Sequence, residues 1–176
     1  LAICSFLLQE AKELAAFRCT PFASKAGRPA GTYDGPAVRG LPEGLGRWVA
    51  SAGSEAGTTY EGEFRAGEFH GEGRLTKAGG VVYTGSFAEG RPHGQGKLTK
   101  PDGEVYEGRY ERNKRCGQGT LRYADGKVYT GGWAANKCHG DGTLTAADGS
   151  VEYAGSWDCG HQGSAPVSAS PLGTPG

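Results

Sequence analysis

Short runs of alternating hydrophobic and polar residues recur along this chain. In Tyr60-Glu61-Gly62-Glu63-Phe64-Arg65, the two rings and Gly62 fall on one face of an extended segment, and Glu61, Glu63 and Arg65 fall on the other. A period of two marks a half-buried β-strand. The next stretch alternates again, which predicts a second strand with Gly71, Gly73 and Leu75 on one face. Asp-Gly at 102–103, 125–126 and 148–149 adds a strong tight-hairpin signal. Glycine weakens a strand unless something must approach the backbone closely. Here the rings of Tyr and of Phe or Trp can lie flat over the glycines of neighbouring strands. Each ring buries a large area, so a thin sheet can hold without a second layer.

The pattern repeats. Tyr60, Tyr83, Tyr106 and Tyr129 are spaced by 23 residues, and Tyr153 follows after 24. They open YEGEFRAGEFHGEG, YTGSFAEGRPHGQG, YEGRYERNKRCGQG and YTGGWAANKCHGDG, with the common frame Y-x-G-x-[aromatic]-x-x-[G/N]-x-x-[H/C]-G-x-G. A leucine comes next (Leu75, Leu98, Leu121 or Leu144), then AGG, PDG, ADG or ADG. Degenerate copies flank these. Tyr33, Gly35, Gly40, Gly44 and Gly46 keep the frame, with Ala37 at the aromatic position and 27 residues to the next tyrosine. Tyr153, Gly155, Trp157 and Gly160 keep it until His161-Gln162-Gly163 arrives early. Terminal repeats of an array are expected to be atypical.

Four in-register copies resemble the MORN (membrane occupation and recognition nexus) repeat, strongly over 60–157 and across 33–163 as a whole. The resemblance implies an all-β fold: an elongated antiparallel β-meander with one hairpin per repeat. A closed barrel is the alternative architecture. Strands about 4.8 Å apart let each hairpin advance ~10 Å, so five repeats make a ribbon of about 50 Å; the open ribbon is the expectation.

Residues 1–17, LAICSFLLQEAKELAAF, have helical spacing at Cys4, Leu7, Leu8, Ala11, Leu14 and Ala15 and predict a short amphipathic N-terminal helix. A cap on the first repeat, the remnant of an upstream segment and a clipped signal peptide are its readings; the charged start of a signal peptide is missing. Residues 18–32 read as a linker, and the Ser/Pro/Gly-rich 164–176 as a disordered tail. The chain begins Leu1-Ala2-Ile3 and contains no methionine, which reads as a processed form or a fragment of a longer reading frame.

Composition narrows the function classes. Of 176 residues 33 are glycine, against a usual share of about 7%, but without the every-third spacing of collagen. The 19 basic and 19 acidic residues cancel, which argues against a nucleic-acid module. No apolar run reaches the ~18–20 residues of a membrane span. Cys4, Cys19, Cys116, Cys138 and Cys159 are odd in number and lack a C-x-x-C pair, so free thiols are expected.

Candidate chemistry is sparse. His70, His93 and His139 share one repeat position, and Cys116 fills it in the remaining repeat. Equivalent residues of consecutive hairpins lie ~10 Å apart, whereas zinc ligands sit ~2.0–2.3 Å from one ion. A turn role is expected for them, and no metal. Gly94-Gln95-Gly96-Lys97 is not a phosphate loop, because Arg91 and Leu98 occupy required positions. No nucleophile motif is present, so neither catalysis nor a cofactor is expected. The basic run Arg112, Lys114 and Arg115 is a weak lipid-headgroup candidate, since 13 Lys+Arg face 14 Asp+Glu over residues 60–163 and juxtamembrane patches use about 4–8 cations.

The expectation is therefore a non-catalytic scaffold or interaction module in the cytoplasm, at membranes or on the cytoskeleton, as the resemblance implies. It would bind a protein partner through Tyr60, Phe64, Tyr83, Phe87, Tyr106, Tyr110, Tyr129, Trp133, Tyr153 and Trp157, or hold the sheet with them. Anionic phospholipid is the second class of partner. A regulatory region of a larger enzyme, such as a phosphoinositide kinase or SET methyltransferase, is the third function.

Overall fold

The computed structural model describes residues 30–163, and the backbone of 17–22. Fifteen strands follow one another. They are β1 (Phe17–Phe22), β2 (Gly31–Gly35), β3 (Ala37–Val38), β4 (Leu41–Pro42), β5 (Gly44–Ala50), β6 (Thr59–Arg65), β7 (Glu68–Thr76) and β8 (Val82–Ala88). Then come β9 (Arg91–Thr99), β10 (Val105–Glu111), β11 (Lys114–Arg122), β12 (Val128–Ala134), β13 (Lys137–Thr145), β14 (Val151–Asp158) and β15 (His161–Gln162). Thirteen of them form one antiparallel sheet in chain order, and β3 pairs separately with β4. Among the described residues β1 and β15 end the sheet without meeting, so it is an open meander rather than a barrel.

Each hairpin has the same internal register. Tyr60 pairs with Leu75 and Gly62 with Gly73, after which a bulge intervenes before Glu63 pairs with His70. The tyrosine ring then lies on the glycine of the returning strand: a methyl group on Gly73, Gly96, Gly119 or Gly142 would run into the ring of Tyr60, Tyr83, Tyr106 or Tyr129. Gly71 does not share that face. It sits in the bulge at φ +51°, where a Cβ would meet the Glu63 carboxylate on the polar side. The extra residues of the bulge reverse the alternation that the sequence suggests.

Two kinds of turn alternate. The Asp-Gly segments make three-residue loops: Gly103 N–H bonds the Lys100 carbonyl at 3.1 Å, Asp102 accepts from the Glu104 N–H at 2.9 Å, and Gly103 takes φ +91°. The two-residue turns lie at Arg39-Gly40, Ala66-Gly67, Glu89-Gly90, Arg112-Asn113, Ala135-Asn136 and Cys159-Gly160, where both residues have positive φ as type I′ turns require. The four-residue excess after Tyr33 is taken up in the longer loop 51–58.

The expected N-terminal helix lies outside the described residues apart from Phe17, which opens β1. The tail 164–176 also lies outside them. The span 18–32, read as a linker, holds most of β1 and the start of β2, with Pro21 opposite Thr32 and Phe22 opposite Gly31. Its described residues 18–22 pair backbone to backbone with β2.

Candidate functional site

All ten aromatic residues expected to meet a partner are buried: Tyr60, Tyr106 and Tyr129 are 0% exposed, and Trp157, the most open, is 9%. Every repeat tyrosine donates its hydroxyl to the carbonyl three residues on, beside the bulge. Examples are Tyr60 to Glu63 at 2.9 Å, Tyr129 to Gly132 at 2.9 Å and Tyr153 to Ser156 at 2.8 Å. Tyr60, Tyr83, Tyr106 and Tyr129 are each also met edge-on by the ring of their own hairpin and by that of the next. Tyr106 has Tyr110 at 5.3 Å and Trp133 at 5.1 Å; Tyr129 has Trp133 at 5.3 Å and Trp157 at 5.0 Å. The rings thus hold the sheet together, and they do not lie open as a contact platform.

What covers them is the residue nine positions after each tyrosine, a slot whose members differ so much that no pattern reveals it in the sequence. Phe69 stacks on Tyr60 with centroids 3.7 Å apart and planes 11° apart. Arg115 places its guanidinium 4.3 Å from the Trp133 ring centre and 5.3 Å from that of Tyr106, a cation–π pair. Cys138 is buried in the fourth repeat. In the second repeat the slot holds Pro92, a smaller group than Phe69, yet Tyr83 stays buried at 2% exposed. A cavity of about 270 Å³ opens there, floored by Leu75, Tyr83, Pro92, Leu98 and Tyr110. Its rim carries Lys77, Lys100 and Arg115 against Glu104.

Tyr110 is the distinctive group in this cavity. Its position is taken by Phe64, Phe87, Trp133 and Trp157 in the other repeats. Phenylalanine needs no hydrogen bond, and both indoles have one: Trp133 Nε1 donates to the Gly119 carbonyl and Trp157 Nε1 to that of Gly142, each at 3.2 Å. The Tyr110 hydroxyl is buried with no partner among the described residues. Burial pushes its pKa well above the usual phenol value, so it is a neutral donor at ordinary pH.

The basic run does not form one patch. Lys114 pairs with Glu111 and Arg115 with Tyr110, so strand alternation sends the two cations to opposite faces. Arg112 lies in the turn, and Arg115 is engaged by the rings and by the Asn136 carbonyl at 3.0 Å. Among the described residues no helix is long and apolar enough to cross a membrane.

The shared histidine position is not a turn. His70, His93, Cys116 and His139 each precede a positive-φ glycine of the mid-strand bulge, at Gly71, Gly94, Gly117 and Gly140. Among the described residues, His139 is the one that stands in a group of three side chains with ligand chemistry. Its Nδ1 is 3.5 Å from the Asp158 carboxylate, and Cys159 adjoins both.

Comparison with known proteins gives one family. The MORN repeat model matches four consecutive segments: residues 60–82, 83–105, 106–128 and 129–151. A search of curated proteins finds no match to the chain.

Proposed function

The chain belongs to the MORN repeat family, and on that premise we propose that it is a non-catalytic interaction module which binds a protein partner on the aromatic side of its sheet, at the cavity between the second and third full repeats. The cavity beside Pro92, lined in part by Tyr110, whose hydroxyl is buried just beneath it without a partner, carries this reading. A lone buried hydroxyl costs about 1–3 kcal/mol, and a ligand supplying an acceptor removes that cost. With Lys100 paired to Glu104 at 2.7 Å, Lys77 and Arg115 leave the rim net positive, which favours an acidic segment, and the apolar floor favours an aliphatic or aromatic anchor beside the acid. The sealed ladder itself supplies stiffness, and the anchor enters the cavity beside Pro92.

The test uses fluorescently labelled extended peptides of three kinds: acidic with an apolar anchor, acidic without one, and basic with one. Only the first should bind. Pro92→Phe, which copies Phe69, should abolish binding while keeping or raising thermal stability. Tyr110→Phe should weaken it about 3–10-fold, the worth of one hydrogen bond. Wild-type affinity in a folded Pro92→Phe protein would refute the cavity. Sedimentation with phosphatidylserine vesicles runs beside it. Strong vesicle binding lost at high salt, with no peptide binding, would make the protein a membrane-targeting module instead.

A further inference from the structure

The junction between the last two hairpins differs in chemistry from every other junction. In the shared register, the residue before the bulge glycine lies beside the strand end and turn of the next hairpin. Extending the pairs Gly71–Phe87, Gly94–Tyr110, Gly117–Trp133 and Gly140–Trp157 by one step gives those neighbours. His70 faces Ala88 and Glu89, His93 faces Glu111 and Arg112, and Cys116 faces Ala134 and Ala135. His139 faces Asp158 and Cys159. The residue across the turn is Arg91, Lys114 and Lys137 in the three earlier cases, paired with Ala88, Glu111 and Ala134; it is His161, paired with Asp158, in the last. The same backbone thus carries imidazole, carboxylate, thiol and a second imidazole at one junction only, where the other three carry a fixed cation.

We propose that His139, Asp158 and Cys159, joined by His161 from across the turn opposite Asp158, bind one divalent transition-metal ion of the zinc class. The imidazole nitrogen, carboxylate oxygen and sulfur lie within 4.8 Å of one another. A tetrahedral ion with bonds of about 2.0–2.3 Å holds its ligand atoms roughly 3.3–3.7 Å apart, so side-chain shifts of about 1 Å close the site. All three side chains are exposed and can make that shift. Mixed nitrogen, oxygen and sulfur donors select zinc-like ions over magnesium or calcium. The ~10 Å spacing between equivalent histidines does not bear on this site, because its ligands come from different repeat positions on adjacent strands. The ion would cross-link β13 to the turn that ends β14, fastening the short edge strand β15.

The reduced full chain, stripped with a chelator, is titrated with Co²⁺, whose thiolate charge-transfer band reports sulfur ligation. One equivalent should saturate the band, and Zn²⁺ should bleach it and raise the melting temperature. Cys159→Ser should remove the band, whereas Cys116→Ser should leave it. Loss of an outer partner of a metal already costs about 10–100-fold in affinity, so His139→Ala should weaken Co²⁺ by at least about tenfold. His161→Lys, restoring the cation of the other hairpins, should weaken it comparably. Circular dichroism of each variant checks that the sheet is intact. Failure to saturate at one equivalent, a band that persists in Cys159→Ser, or unchanged affinity in folded His139→Ala would overturn the site.

Discussion

At the scale of single residues, two tyrosines four positions apart within a repeat do opposite things. The first is a tyrosine in every repeat and its hydroxyl bonds the carbonyl beside the bulge; Tyr129 does so at 2.9 Å toward Gly132. The second needs only a ring, and Tyr110 carries a hydroxyl that meets nothing. The same substitution should therefore change sign. Tyr129→Phe removes a buried hydrogen bond and should cost about 0.5–1.5 kcal/mol, while Tyr110→Phe should be neutral or stabilising by up to about 1 kcal/mol. Urea midpoints at constant slope would measure both, and a similar loss in the two variants would contradict the assignment. The facing of the rings over Gly73 and Gly96 is readable from strand alternation alone. Their burial is not, because it depends on Phe69, Pro92, Arg115 and Cys138, a slot with no common chemistry. The grouping of His139 with Asp158 and Cys159 is equally hidden, since it rests on a register that the bulge shifts.

At the scale of the element, the two-residue turns couple one hairpin to the preceding one. The second turn residue donates its N–H to the covering residue of the previous repeat: Gly90 to Phe69 at 3.0 Å, Asn113 to Pro92 at 2.9 Å, Asn136 to Arg115 at 3.1 Å and Gly160 to Cys138 at 2.8 Å. The Asn136 side chain adds a return contact, accepting from the Arg115 N–H at 2.8 Å. The first turn residue must adopt left-handed geometry, and Ala135 does so at φ +48°. For residues other than Gly, Asn and Asp that conformation costs roughly 1–2 kcal/mol. Ala135→Asn should thus raise stability by about 0.5–1 kcal/mol, seen as a higher melting temperature. An unchanged or lower value would argue against a type I′ turn there. In the sequence the Asp-Gly pairs draw attention as tight turns, yet they close three-residue loops, and the tighter turns fall at less marked positions such as Ala135-Asn136.

At the scale of the molecule, the sheet is a chain of nearest-neighbour contacts, each tyrosine wedged between its own ring partner and the next hairpin's. Stability in such an array is a sum of repeat and interface contributions, and here every interface includes a buried phenol. The meander and its period follow from the 23-residue spacing, and the length of the ladder is legible in the same way.

This construction predicts a failure at high pH. Burial raises the pKa of Tyr33 and Tyr106 to about 12, and pushes Tyr83, Tyr110 and Tyr129 up further. In the unfolded chain a tyrosine ionises near pH 10. Above that pH the unfolded state sheds protons that the folded state keeps, so stability falls as pH rises. The stabilisation is fully present below about pH 10 and is lost through pH 12. Several linked phenols in one array should make the loss steep. Tyrosinate absorbance and β-sheet circular dichroism, followed together in an alkaline titration, should therefore change in one coincident, cooperative step well above pH 10. Exposed tyrosines would instead ionise near 10 while the sheet persisted, and that result would show that the ladder is open to water.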